Sequence, residues 1–136
     1  MRAAVLLAFG LSILACPDRP DPPDPLPADS REIDRLRSPD GKVDAVLSVT
    51  PTDPLSSDVQ SVRLEPVGVK AEWDGIVARA THNPGYLGMR WLSDTLLLIS
   101  YRGGHIYDFD NQWWTYKLSP KQDEAHFVEL RLSKEP

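Results

Sequence analysis

Between residues 31 and 136, apolar and polar positions alternate in short runs, and no run holds the 3.6-residue period of a helix. The clearest alternation puts Val43, Ala45, Leu47 and Val49 on one face, with Asp44, Val46, Ser48 and Thr50 on the other. Residues 32–37 form a preceding strand, joined to it by Ser38-Pro39-Asp40-Gly41-Lys42. That turn has a mechanism: Pro39 presets φ, Asp40 bonds its local backbone and Gly41 takes positive φ. Residues 31–50 therefore read as a hairpin. Further strands are expected at 59–66, 75–81, 87–91, 96–101, 113–118 and 127–132, with Gln60, Val62 and Leu64 sharing one face of the first, and residues 106–109 could form a short one. Leu96–Tyr101 is the most apolar run after the leader and is expected to be central and buried on both faces. In the last strand Val128, Leu130 and Leu132 face inward. Gly68–Asp74 carries no clear pattern. The short connections imply an all-β, antiparallel fold of seven or eight strands, as one sheet or as a small sandwich or barrel of hairpins.

The pattern changes abruptly before residue 30. Pro17 to Asp29 reads PDRPDPPDPLPAD and holds six of the 13 prolines, so neither helix nor interior strand forms there. An extended polyproline segment of this length reaches about 40 Å at about 3.1 Å per residue. Before it, Met1 to Ala4 carry one positive charge on Arg2, and Val5 to Ala15 are apolar except for Gly10 and Ser12. A positive start, an apolar run and a small residue at its end make a secretory signal. The run is too short to span a membrane, which takes about 20 apolar residues.

Ile13-Leu14-Ala15-Cys16 resembles the lipobox of bacterial lipoproteins, and Cys16 is the single cysteine of the chain. The resemblance implies cleavage between Ala15 and Cys16. The Cys16 thiol then carries a diacylglyceryl thioether, and its new amine takes a further acyl chain such as palmitate. Each buried methylene contributes about 0.8 kcal/mol, and two or more chains anchor stably where one does not. The other reading is an ordinary secretory signal with a cysteine at its end by chance. The domains are thus 1–15 as signal peptide, 16–29 as lipidated cysteine and linker, and 30–136 as one β-rich domain. The resemblance places that domain outside the cytoplasm of a bacterial cell, on the membrane of its envelope. Pro17, where an aspartate commonly retains lipoproteins at an inner membrane, leans the location towards an outer membrane if the cell has one.

Charge and cysteine content narrow the function. The chain has a net charge of −5, and losing Arg2 with the leader makes it more negative. No basic stripe offers itself to nucleic acid. With Cys16 alkylated no thiol is left for a disulfide, so the core alone must supply stability. Ser38–Lys42 is similar to the hairpin turns that open blades of periplasmic β-propellers, but a propeller needs several copies and this chain has one. Residues 38–47, 62–66 and 90–101 together resemble a group of small uncharacterised bacterial envelope proteins of unknown function. That resemblance implies a fold and no activity, and carries over no catalytic residue or cofactor.

Two sets of residues bear on chemistry. The first is aromatic: Trp113, Trp114 and Tyr116, near Tyr101, Tyr107 and Phe109. Adjacent tryptophans in a strand point to opposite faces. One is core, and the other is either covered by a second layer or exposed to stack on a sugar ring or anchor a protein. This set makes the chain a membrane-anchored, non-catalytic binding module whose partner is an envelope protein or polysaccharide. The alternative is a small metal-binding or hydrolytic domain built on His105, Asp108 and Asp110. Asp108-x-Asp110-Asn111 offers hard oxygen donors but lacks the glycine and closing glutamate of a calcium loop. His82, His105 and His126 have no metal-ligand spacing, and no serine lies in a nucleophile elbow. Neither a resident metal nor a catalytic set follows from these patterns.

Overall fold

The computed structural model describes residues 29–52, 54, 56–69, 75–81 and 86–136. Ala15, Cys16, the linker as far as residue 28, the turn at 82–85 with His82, and residues 70–74 lie outside them. Among the described residues nine strands follow in chain order: β1 (Arg31–Arg37), β2 (Val43–Thr50), β3 (Val59–Pro66), β4 (Ile76–Thr81), β5 (Tyr86–Ser93), β6 (Leu96–Arg102), β7 (Ile106–Phe109), β8 (Gln112–Thr115) and β9 (His126–Lys134). The fold is all-β. The strands form two sheets, ordered β1-β2-β3-β4-β7 and β5-β6-β9-β8.

The first hairpin forms as the sequence predicts. Pairing runs from Arg31 opposite Val49 to Arg37 opposite Asp44. Its turn is tied by Ser38: the backbone amides of Lys42 and Val43 donate to the Ser38 hydroxyl at 3.2 and 3.0 Å. That hydroxyl donates to Asp40 Oδ1 at 2.7 Å. Gly41 takes φ +74°. Burial pushes the Asp40 carboxyl up, but the Ser38 hydroxyl, the Lys42 amide and the Lys42 charge outweigh it and hold it below its usual range.

Among the described strands all pairings are antiparallel except one. β9 runs parallel to β6, with Leu97 beside Leu130 and Ile99 beside Leu132. Parallel neighbours need a crossover of a dozen or more residues. Here the crossover leaves β6, enters the other sheet as β7 and returns as β8, which accounts for the parallel pair and for nine strands rather than seven or eight.

The core lies between the sheets. One side supplies Val43, Ala45, Leu47, Val62, Leu64, Val77, Ala78 and Ala80, and the other Leu87, Leu97, Ile99, Val128 and Leu130. Leu132, at the end of the same row, is more than a third exposed. Two bonds pin the sheets in alignment. The Leu87 amide donates to buried Gln60 Oε1 at 2.6 Å, and Trp91 Nε1 donates to the Leu36 carbonyl at 3.0 Å.

Burial on both faces occurs in β2, not in β6. In β6 Leu97 and Ile99 are buried, while Leu96, Leu98 and Ser100 are only half-buried, because among the described residues no second layer covers the outer face of their sheet. In β2 the outward Asp44, Val46 and Ser48 are buried as well. Val46 pairs with Arg35 on one side and Arg63 on the other, and arginine stems cover apolar surface while their heads stay polar.

Candidate functional site

β8 sits at the edge of the smaller sheet and pairs with β9, Trp113 against Val128, Trp114 against Phe127 and Thr115 against His126. The alternation of a strand then sends the two tryptophans apart. Trp113 packs against the core. Trp114 turns outward and is 56% exposed, with Phe127 at 50% beside it and Tyr116 at 44%. The Trp114 and Tyr116 rings meet edge to face, centroids 5.5 Å apart and planes at 77°. This geometry is favourable for aromatic pairs and fixes both rings.

The strand stops earlier than the expected 113–118, and the reason is local. The Lys117 amide donates to the Thr115 hydroxyl at 3.1 Å, and the Ser119 amide donates to the Tyr116 carbonyl at 3.1 Å. These bonds turn the chain off the ladder at Tyr116. Ser119 Oγ then donates to Asp123 Oδ1 at 2.8 Å, closing the polar connection.

Beside this patch is a cleft of about 140 Å³, walled by Trp113, Trp114, Thr115, Lys117, Leu64, Pro66 and Gly75. The backbone draws in closely there. The Leu64 amide donates to the Gly75 carbonyl at 3.1 Å. A Cβ on Gly75 would lie 2.5 Å from the Leu64 carbonyl oxygen. A broader groove of about 500 Å³ crosses the outer face of the same sheet over Gly88, Ser100 and Ser133, and no aromatic side chain lines it.

The cleft has a defined place relative to Ser30. Ser30 Oγ is hydrogen-bonded to Thr50 Oγ1 at 2.7 Å, and Arg31 pairs with Val49. Leu64 and Pro66 of the cleft pair with Ala45 and Val43, at the other end of β2. At about 3.3 Å per residue the cleft is roughly 20 Å from Ser30, near the start of the described residues.

His105, Asp108 and Asp110 are all exposed. The His105 backbone exchanges bonds with Thr81, Asp108 pairs with Arg79 at 3.5 Å, and the Asp110 amide donates to the Val77 carbonyl at 2.8 Å. Among the described residues no three His, Cys, Asp or Glu side chains are grouped to hold a metal ion. His126, paired with Thr115, has its Nε2 buried without a hydrogen-bond partner. Sequence reasoning missed Phe127 and Lys117 as site residues. Phe127 was within reach: if Val128 and Leu130 face in, Phe127 faces out. Leu64, Pro66 and Gly75 carried no such signal, because only the packing of one sheet against the other brings them to Trp113. Compared with protein-family models, curated proteins and solved structures, the chain finds no match in any of the three.

Proposed function

We propose that this chain is a lipid-anchored binding module of a bacterial cell envelope. It is non-catalytic, held to the membrane by acyl chains on Cys16, and presents the Trp114, Tyr116 and Phe127 surface to an envelope partner. The observation that carries the binding reading is the exposed, edge-to-face Trp114–Tyr116 pair beside a cleft with a second tryptophan in its wall. Large aromatic side chains are usually covered, and rigid exposed ones are what recognition surfaces use. Its place supports a tethered role: the surface lies at the end of β2 away from Ser30, so an anchor at Cys16 leaves it free to face outward.

Two experiments test the two halves. Intact mass of the protein from the membrane fraction is expected to match cleavage before Cys16 plus acyl chains. The Cys16→Ala variant is expected to lack those chains, and an unmodified Cys16 in soluble protein would overturn the anchor. For the binding half, a photo-reactive amino acid at position 116 is expected to give discrete adducts in cells. The same probe at exposed Asp34 on β1 gives none. Equal yields from the two positions would remove the assignment of this surface.

A further inference from the structure

Resting on the binding reading above, we infer that the surface takes a carbohydrate, with one pyranose ring in the Trp113–Trp114 cleft and the chain continuing over Trp114. Size argues first. Trp114, Tyr116 and Phe127 are each about half exposed, which at about 200 Å² for a whole aromatic side chain offers roughly 300 Å² of apolar surface. A stable protein interface takes about 800 Å² from each partner, of which a little over half, about 450 Å², is apolar. The row beyond the patch is polar, with Gln112 beside Glu129, and Glu129 accepting a bond from Arg131 Nε at 2.9 Å. The aromatic surface therefore does not extend into the apolar core of a protein interface.

The cleft argues second. Its volume of about 140 Å³ is close to the roughly 150 Å³ of a closed cavity that admits benzene, and because this cleft is open on one side a single pyranose ring fits with part of its hydroxyl edge left in solvent. Its lining is mixed: Trp113, Trp114, Leu64 and Pro66 border it together with the polar residues Thr115 and Lys117. A purely apolar ring would strip water from those polar groups without replacing their bonds. A pyranose has a C–H face for the indole and hydroxyls around its edge for the polar atoms. Trp114 borders the cleft, and its ring meets that of Tyr116 edge to face, a contact that restricts the ring before any ligand arrives and lowers the ordering cost of binding.

The test is a titration of the full-length protein in detergent with maltotriose, cellotriose and chitotriose, followed by tryptophan fluorescence. At least one trisaccharide is expected to saturate the change in the millimolar range, and Trp114→Ala to weaken it tenfold or more, about 1.4 kcal/mol. Tyr116→Ala keeps both tryptophans and is expected to weaken binding less, by releasing the Trp114 ring. The thermal midpoints of both variants are expected to match the parent, which separates lost stacking from lost folding. No change with any of the three sugars would overturn the carbohydrate assignment. If position 116 still gives adducts in cells, the module reading survives with a protein partner. If adducts and sugar binding are both missing, both readings fall.

Discussion

Asp44 lies on the outer face of the larger sheet, nearly buried, with two arginines on it. Arg35 Nη1 donates to its Oδ2 at 3.1 Å and Arg37 Nε to its Oδ1 at 3.0 Å. Arg35 also holds Glu32 and Glu65, both at 2.8–2.9 Å, and Arg63 pairs with Glu65. Burial pushes the Asp44 carboxyl up, yet the hydrogen bonds from Arg37 and Arg35 more than offset it and leave it below the usual carboxylate range. Glu32 is lowered too, chiefly by its bond to Arg35. A carboxylate whose folded value is depressed stabilises the fold above its unfolded value, and that contribution is lost as pH falls through the folded value. Urea midpoints are therefore expected to fall as pH drops below about 4. Asp44→Asn is expected to lose about 1–2 kcal/mol at neutral pH, the arginines being partly screened by water, and the gap to the parent narrows in acid. A second single-residue effect belongs to Gly75, at φ +50° with the Leu64 carbonyl in the space a Cβ needs. Gly75→Ala is expected to destabilise by about 1–3 kcal/mol in urea unfolding.

At the scale of the element, what the sequence disclosed and what it hid have separate causes. The hairpin β1–β2 was legible because its turn chemistry is local: Ser38, Asp40 and Gly41 act on amides within five residues of one another. The outward turn of one of two adjacent tryptophans was legible from the strand period, but which of them turned outward required the pairing of β8 with β9. The most apolar run, β6, was expected to be buried on both faces, whereas β2 with two charged or hydroxyl outward residues is the one so buried. The sequence shows composition, and burial follows from neighbours: β2 has Arg35 and Arg63 lying alongside it, and none of the described residues covers Leu96 and Leu98 to the same degree. The inner face of β6 still carries the core. Leu97→Ala is expected to cost about 2–5 kcal/mol, while Trp114→Ala, on the outer face of β8, is expected to shift stability by no more than about 0.5 kcal/mol. Equilibrium unfolding of the two variants side by side would check the contrast.

For the molecule as a whole, the two sheets differ in how they are built. The larger one joins β1 to β4 by consecutive antiparallel neighbours, and β2 and β3 lie inside it, flanked on both sides. Their amides open only when the sheet does. Hydrogen exchange is expected to be slowest in Val43–Val49 and Val59–Leu64, and faster in the four-residue strands β7 and β8. The aromatic surface thus hangs on one of the shortest strands but is locked by its neighbours across β9.

The smaller sheet has the order β5-β6-β9-β8, so the last strand in the chain fills its middle. Until β9 has been made, β6 has an open edge and β8 has nothing to pair with. A nascent chain emerging from the ribosome can assemble β1 to β4, yet the aromatic surface cannot exist on any shorter product, and premature termination before His126 removes it completely. The aromatic surface is in this sense a record of how far translation has run: a chain that presents Trp114 beside Phe127 is a chain that has been translated through β9.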